Sequence, residues 1–199
     1  MNDPTSLQPG TPFEGGFYGG QIRIGNAVFA IAWAPKAEGE TQGAWLGSYT
    51  DVPGAGSCFD SMANTVAMAE AGSAIGNWAR GLTIGGHTDW CVPARDVLEL
   101  GYRLLKPSTQ GNACSFRDGD NASSVPAGYP YSEATPAQTT AEAFRAGGAE
   151  AFAQSWYWSS TQYSANLAFH QYFYDGYQYH GTKKFEAQVR AVRLIQLAT

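Results

Sequence analysis

The sequence predicts an α+β fold: two helices packed on a small twisted antiparallel sheet, joined by long loops. Three observations predict it. Residues 156–193 read as strands with alternating faces and turn residues between them. Residues 60–80 and 94–106 carry helical signals. Twenty-four glycines and ten prolines in 199 residues favour loops over a helix bundle.

In chain order, residues 1–16, MNDPTSLQPGTPFEGG, are polar and rich in Pro and Gly. They read as an extended N-terminal arm or tether, and 17–199 as one domain. Residues 21–34 hold two strand-like runs around Gly25-Asn26, a hairpin signal. Residues 35–57 are loop-like. The first helix is read over 60–80, capped by Asp60 or Ser61, with Met62, Val66, Ala69, Ile75 and Trp78 near one face. Gly72 and Gly76 weaken it. The second is read over Ala94 to Lys106, behind Pro93, with Asp96 in its first turn and Pro107 as its stop. Residues 107–155 form a long excursion, with one short helix expected over Thr139 to Arg145. Loops of that length tend to be functional or to serve as covers.

The stretch NLAFHQYFYD, 166–175, sorts onto two faces. Phe169, Gln171 and Phe173 are expected toward the core. His170, Tyr172 and Tyr174 are expected to form the exposed working surface. Asp175-Gly176 gives a turn, and Val189 to Ile195 a last strand.

Net charge is −5. From residue 156 onward four Lys/Arg stand against two Asp/Glu, net +2, leaving −7 for the rest. Neither part carries the basic stripe that nucleic-acid binding needs, so no nucleic-acid partner is expected. No apolar run approaches the roughly 20 residues of a membrane span, and no secretory signal pattern is visible. Cys58, Cys91 and Cys114 are odd in number, lack C-x-x-C spacing, and read as free thiols of a protein made in the cytoplasm.

No catalytic residue, metal ligand or cofactor is assigned. His87, Asp89 and Cys91 alternate as a metal site would, and Arg117-Asp118-Gly119-Asp120-Asn121 gathers oxygen ligands. The second string lacks the distal Glu of an EF-hand and reads as a solvated loop. Ser159-Ser160 is not in a G-x-S-x-G context. Rings are the stronger signal. Tyr163, Asn166, His170, Tyr172, Tyr174, Tyr177, Tyr179 and His180 are the candidate ligand-binding residues. Such side chains give amphipathic contact area with few rotatable bonds, as in antibody paratopes. Two or three of them are expected to pack under the excursion.

Tyr157-Trp158-Ser159-Ser160-Thr161, followed by Phe173, Asp175-Gly176 and Val189-Arg190-Ala191-Val192-Arg193, resembles the C-terminal half of a broad bacterial and phage family with a C-type-lectin fold. That family includes major tropism determinant-like phage receptor-binding proteins and the variable proteins of diversity-generating retroelements. Formylglycine-generating enzymes are distant relatives. Upstream, Gly85 to Pro93 followed by Val97-Leu98-Glu99-Leu100 matches the family's approach to its second helix. The resemblance covers roughly residues 60–197.

It implies a C-type-lectin-like fold, with Asp89 and Trp90 bracing the helix start. The family's usual Ser or Thr after the Pro is Ala94 here, which puts the cap in doubt. The lectin calcium tripeptides are missing. No cysteine follows Cys114, so the copper chemistry of the formylglycine enzymes does not carry over. Asn codons mutated at adenines yield the Tyr, His, Asp and Ser that crowd this stretch, as retroelement mutagenesis implies. The expected function is non-catalytic: a virion protein of a tailed phage, turning an aromatic face to a host cell-surface receptor, protein or glycan. The arm would contact other virion proteins, and a homo-oligomer, a trimer in particular, is expected. The alternatives are a structural virion component, such as a capsid decoration or tail-fibre accessory protein, and a retroelement-diversified bacterial surface-display protein.

Overall fold

The computed structural model describes residues 7–115 and 117–198. The fold is mixed α+β, with short helices and two antiparallel sheets. Strands β1 (Pro12–Phe13), β2 (Gly16–Ile24) and β3 (Ala27–Trp33) run in series, and the expected hairpin turn carries Gly25 at φ +59. A turn with positive φ suits Gly, which has no Cβ to clash. The last strand, β9 (Val192–Gln196), pairs with β3, giving the order β1-β2-β3-β9. The end of the segment read as an arm therefore joins a sheet, through Pro12, Phe13 and Gly16. Pro12 lies opposite Phe17, and the Gly10 N–H donates to the Tyr18 carbonyl at 2.8 Å. The first six residues of that arm lie outside the described residues.

A short helix, α1 (Lys36–Gly39), leads into the second sheet. Its strands are β4 (Glu40–Ala44), β5 (Trp156–Gln162), β6 (Leu167–Tyr172), β7 (Gln178–Thr182) and β8 (Glu186–Arg190). Their order is β4-β8-β5-β6-β7, so β7 is an edge. Pairing is antiparallel except where Tyr157 meets Gln188 between β5 and β8.

The single helix expected over 60–80 is two: α2 (Ser61–Glu70) and α3 (Ala74–Arg80). Gly72, at φ +86, takes the left-handed conformation that ends a helix, and the Ser73 N–H returns to the Met68 carbonyl at 2.9 Å. Ser73 then caps α3 by accepting from the Gly76 N–H, while its own hydroxyl donates to the Trp45 carbonyl at 2.7 Å. The next helix, α4 (Arg95–Leu105), falls where it was expected. Ala94 offers no side-chain cap. Distant groups serve instead: Ser61 Oγ accepts from the Ala94 N–H, Thr161 Oγ1 from the Arg95 N–H, and the Cys58 carbonyl from the Asp96 N–H. The cap missing from the local sequence is thus supplied by tertiary contacts.

α4 is buried over most of its length and packs a core of Trp33, Tyr102, Phe144, Phe152, Tyr157 and Phe173. The Trp33 ring fits because Gly19 and Gly101 lie against it; a Cβ would come within 2.2 Å at Gly19 and 2.4 Å at Gly101. A second cluster gathers Trp45, Met68, Ile75, Trp158 and Val189. The 107–155 excursion supplies Tyr131, Phe144 and Phe152 to the first core, so it is part of the fold's interior. Its short helix is a 3-10 turn, Glu142–Phe144, inside the segment expected to be helical. Two buried polar clusters anchor it. Lys106 donates to Asn112 Oδ1 at 2.7 Å, and Glu99 accepts from Arg103, from Tyr131 OH at 2.6 Å and from Asn121 Nδ2 at 2.7 Å. Among the described residues no helix is long and apolar enough to cross a membrane.

Candidate ligand-binding groove

Strands β6 and β7 build the site. Phe169 lies opposite His180 and Gln171 opposite Gln178, while His170 lies opposite Tyr179. Around the outer edge of β7 opens a groove of about 320 Å³. Four of the eight rings and polar residues singled out from the sequence line it: Tyr163, Tyr177, Tyr179 and His180. Their rings form one column. Tyr163 stacks on His180 at 4.1 Å and 10°, His180 on Tyr179 at 4.4 Å, and Tyr179 on Tyr177 at 5.7 Å. Tyr163 is 53% exposed and Tyr179 50%. Phe169 meets Tyr163 edge to face at 5.3 Å, with the Arg95 guanidinium 5.4 Å from the Phe169 centroid.

The far wall comes from the excursion, through Ser115 and Arg117. Asp118 pins it there. One carboxylate oxygen accepts from the Ser115 N–H at 3.0 Å and hydroxyl at 2.8 Å; the other accepts from the Gln178 N–H at 2.8 Å. Asp118 is buried, so its position is set by these donors and not by solvent. Within the Arg117-to-Asn121 string read as a solvated loop, Asp120 is exposed but Asp118 and Asn121 are buried, and Asp118 is the clip that fastens the excursion to β7. Gly119, at φ +86, completes the turn beside Tyr131.

Two expectations need correction, those for His170 and Phe169. His170 does not stand on an exposed face. It is 8% exposed, stacked on Trp156 at 3.9 Å and facing Trp158 at 5.2 Å. Burial, with His180 adding to it, pushes its pKa down to about 4, so the ring is neutral at physiological pH. Its register partner Trp158 brings the covering ring, something alternation alone does not show. Phe169, expected in the core with Gln171 and Phe173, is only half-buried and lines the groove; Gln171 and Phe173 are buried. Tyr172, Tyr174 and Asn166 lie outside the groove. Tyr172 stacks on Trp156 at 5.0 Å, and Tyr174 is exposed, its hydroxyl accepting from Gln110 Nε2. Asn166 is exposed in the β6 approach, its carbonyl accepting from the Lys183 N–H at 2.9 Å.

Ser115, Arg117 and Gln178 were not singled out as binding residues. The sequence signals for the first two were the length of the excursion that carries them and, for Arg117, its place in the polar Arg117-to-Asn121 string. Elsewhere, Asp89 is paired with Arg193, the Cys91 thiol donates to the Val192 carbonyl at 3.3 Å, and His87 Nε2 lies 3.9 Å from Glu14. His87, Asp89 and Cys91 thus turn to three different partners. Among the described residues no group of three or more His, Cys, Asp or Glu is arranged to hold a metal ion. Burial pushes the Cys58 and Cys91 thiols up, away from the thiolate. Comparison with protein-family models, with curated proteins and with solved structures finds no match.

Proposed function

We propose that this chain is a non-catalytic binding protein of a phage virion, with a C-type-lectin-like fold that turns its β7 groove toward a host cell-surface receptor. The observation that carries the reading is the column Tyr163, His180, Tyr179 and Tyr177, open along a concave edge. Open aromatic surface of this kind marks interaction sites, and Tyr is a preferred anchor because it orders at small entropic cost. The lectin-like part of the reading rests on the motif resemblance. It is supported by contact between the two motif stretches: Cys91 bridges Val192, and Asp89 pairs with Arg193 beside the buried Trp90.

Adsorption tests it. The labelled protein is mixed with cells of the bacterium whose genome, or whose phage, carries the gene. The reading expects saturable attachment that competes with phage adsorption. A folded protein that attaches to no such cells, but is found inside the assembled particle between other virion proteins, contradicts it.

A further inference from the structure

We infer that the β7 groove takes a carboxylate-bearing sugar, held with its ring against Tyr163 and Tyr179 and its carboxylate on Arg117. This rests on the reading of the groove as a receptor site and narrows it to one ligand class.

Charge points to an anion. The protein carries −5 net, yet the groove lining contains no carboxylate and one guanidinium, Arg117. The nearest acid in sequence, Asp118, is buried and committed to Ser115 and Gln178. The neighbouring Arg95 is already paired with Asp96 at 2.7 Å. Arg117 belongs to none of the salt bridges among the described residues. A guanidinium in the lining of an aromatic groove offers the planar fork that matches a carboxylate.

Shape points to a sugar. Tyr163 and Tyr179 are each about half exposed with His180 stacked between them, so a pyranose would lie along the open side of the column with its C–H groups against the ring edges. Gln178 and the tyrosine hydroxyls stand around them to meet hydroxyl groups, and Ser115 Oγ, whose proton goes to Asp118, can accept from one. At about 320 Å³ the groove is at the small end of the roughly 300–1,000 Å³ seen for small-molecule sites. An extended peptide fits less well. Strand addition needs the free edge of β7, and there the outward Gln178 N–H already donates to Asp118 Oδ1 at 2.8 Å. A nucleic acid would meet a net negative protein with one cation, Arg117, among the described residues of the groove lining.

The test is calorimetric titration of the full chain with two acidic probes and their neutral partners: trigalacturonate with its methyl ester, and 3′-sialyllactose with lactose. At least one acidic probe should bind at least about tenfold more tightly than its partner, and lose that margin in about 0.5 M salt. Arg117→Met should remove the margin while keeping the melting temperature, and Arg117→Lys should restore part of it. Tyr179→Ala should weaken both members of the pair. Acidic and neutral partners binding alike, neither acid binding, or Arg117→Met binding as well as wild type would each overturn the inference. Cell adsorption run in parallel separates the two levels. Cells bound equally by wild type and Arg117→Met would sink the acidic sugar and leave a receptor site. Acidic sugar bound as expected, with no cell attachment, would leave the sugar site and sink the receptor reading.

Discussion

Phe173 and Tyr174 are adjacent in sequence and opposite in environment. Phe173 is fully buried, 4.6 Å from the Phe152 ring and 4.7 Å from Tyr157, whereas Tyr174 is 37% exposed. Phe173→Ala should therefore cost about 3–5 kcal/mol and lower the melting temperature sharply. Tyr174→Ser should stay within about 0.5 kcal/mol of wild type in denaturant titrations. His170 makes a prediction about pH. Its folded pKa, about 4, lies below the ordinary 6.5. Above pH 6.5 both folded and unfolded chains hold it neutral, and it adds no pH dependence. Below that, the unfolded chain takes up a proton that the stacked ring refuses, so stability falls as pH drops from 6.5 toward 4. The loss reaches about 3 kcal/mol at the lower end. His170→Phe keeps a ring between the tryptophans and removes the titration. Urea unfolding at pH 7 and pH 4.5 should show a smaller loss for the variant; an equal loss would assign the effect to other groups.

At the scale of elements, what was legible was what is locally encoded. Helix α4 was readable because Pro93, Asp96 and Pro107 bracket it within the sequence itself. The β2–β3 hairpin was readable from Gly25-Asn26 between apolar runs. Alternation along β6 sorted its residues onto faces, but it does not say what covers each face. Trp156 and Trp158 closed one side over His170, and Tyr163 with His180 left Phe169 at a groove on the other. The break at Gly72 was foreshadowed by the glycine, while the cap that makes α3 a separate helix depends on Ser73 meeting Trp45. Arg117 could not be placed because its position follows from Asp118 bonding to Gln178, 60 residues away. The excursion itself hangs on α4 through Glu99 and Arg103, 1% and 9% exposed. Burial raises the Glu99 pKa, and Arg103, Tyr131 and Asn121 oppose that shift. Arg103→Met would strand the Glu99 charge and should cost about 3–5 kcal/mol. Proteolysis should then cut first within 117–131, the segment that Arg103 holds through the Gly119 and Tyr129 carbonyls. Uniform resistance to protease would place the anchor elsewhere.

For the whole molecule, the chain's last strand returns to its beginning. β9 lies on β3, and Arg193 reaches both Asp89 and the Glu14 carbonyl, tying three distant parts of the sequence together. The groove lies at the edge of the other sheet, built from strand and excursion. One groove of this size gives a limited contact, and repetition raises avidity when several sites engage one surface. Sedimentation at micromolar concentration should accordingly show a homo-oligomer, with a trimer the expected species; a strict monomer would argue for single-site attachment. The central claim is that the stacked column at the β7 edge, and not the neighbouring Tyr172–Tyr174 pair, is the binding surface. Two double variants decide it in the adsorption assay: Tyr163→Ser with Tyr179→Ser, and Tyr172→Ser with Tyr174→Ser. The first pair should keep its fold, as judged by near-wild-type melting, and lose attachment to cells; the second should keep attachment. Attachment retained by the first pair and lost by the second, with both folded, would contradict the claim.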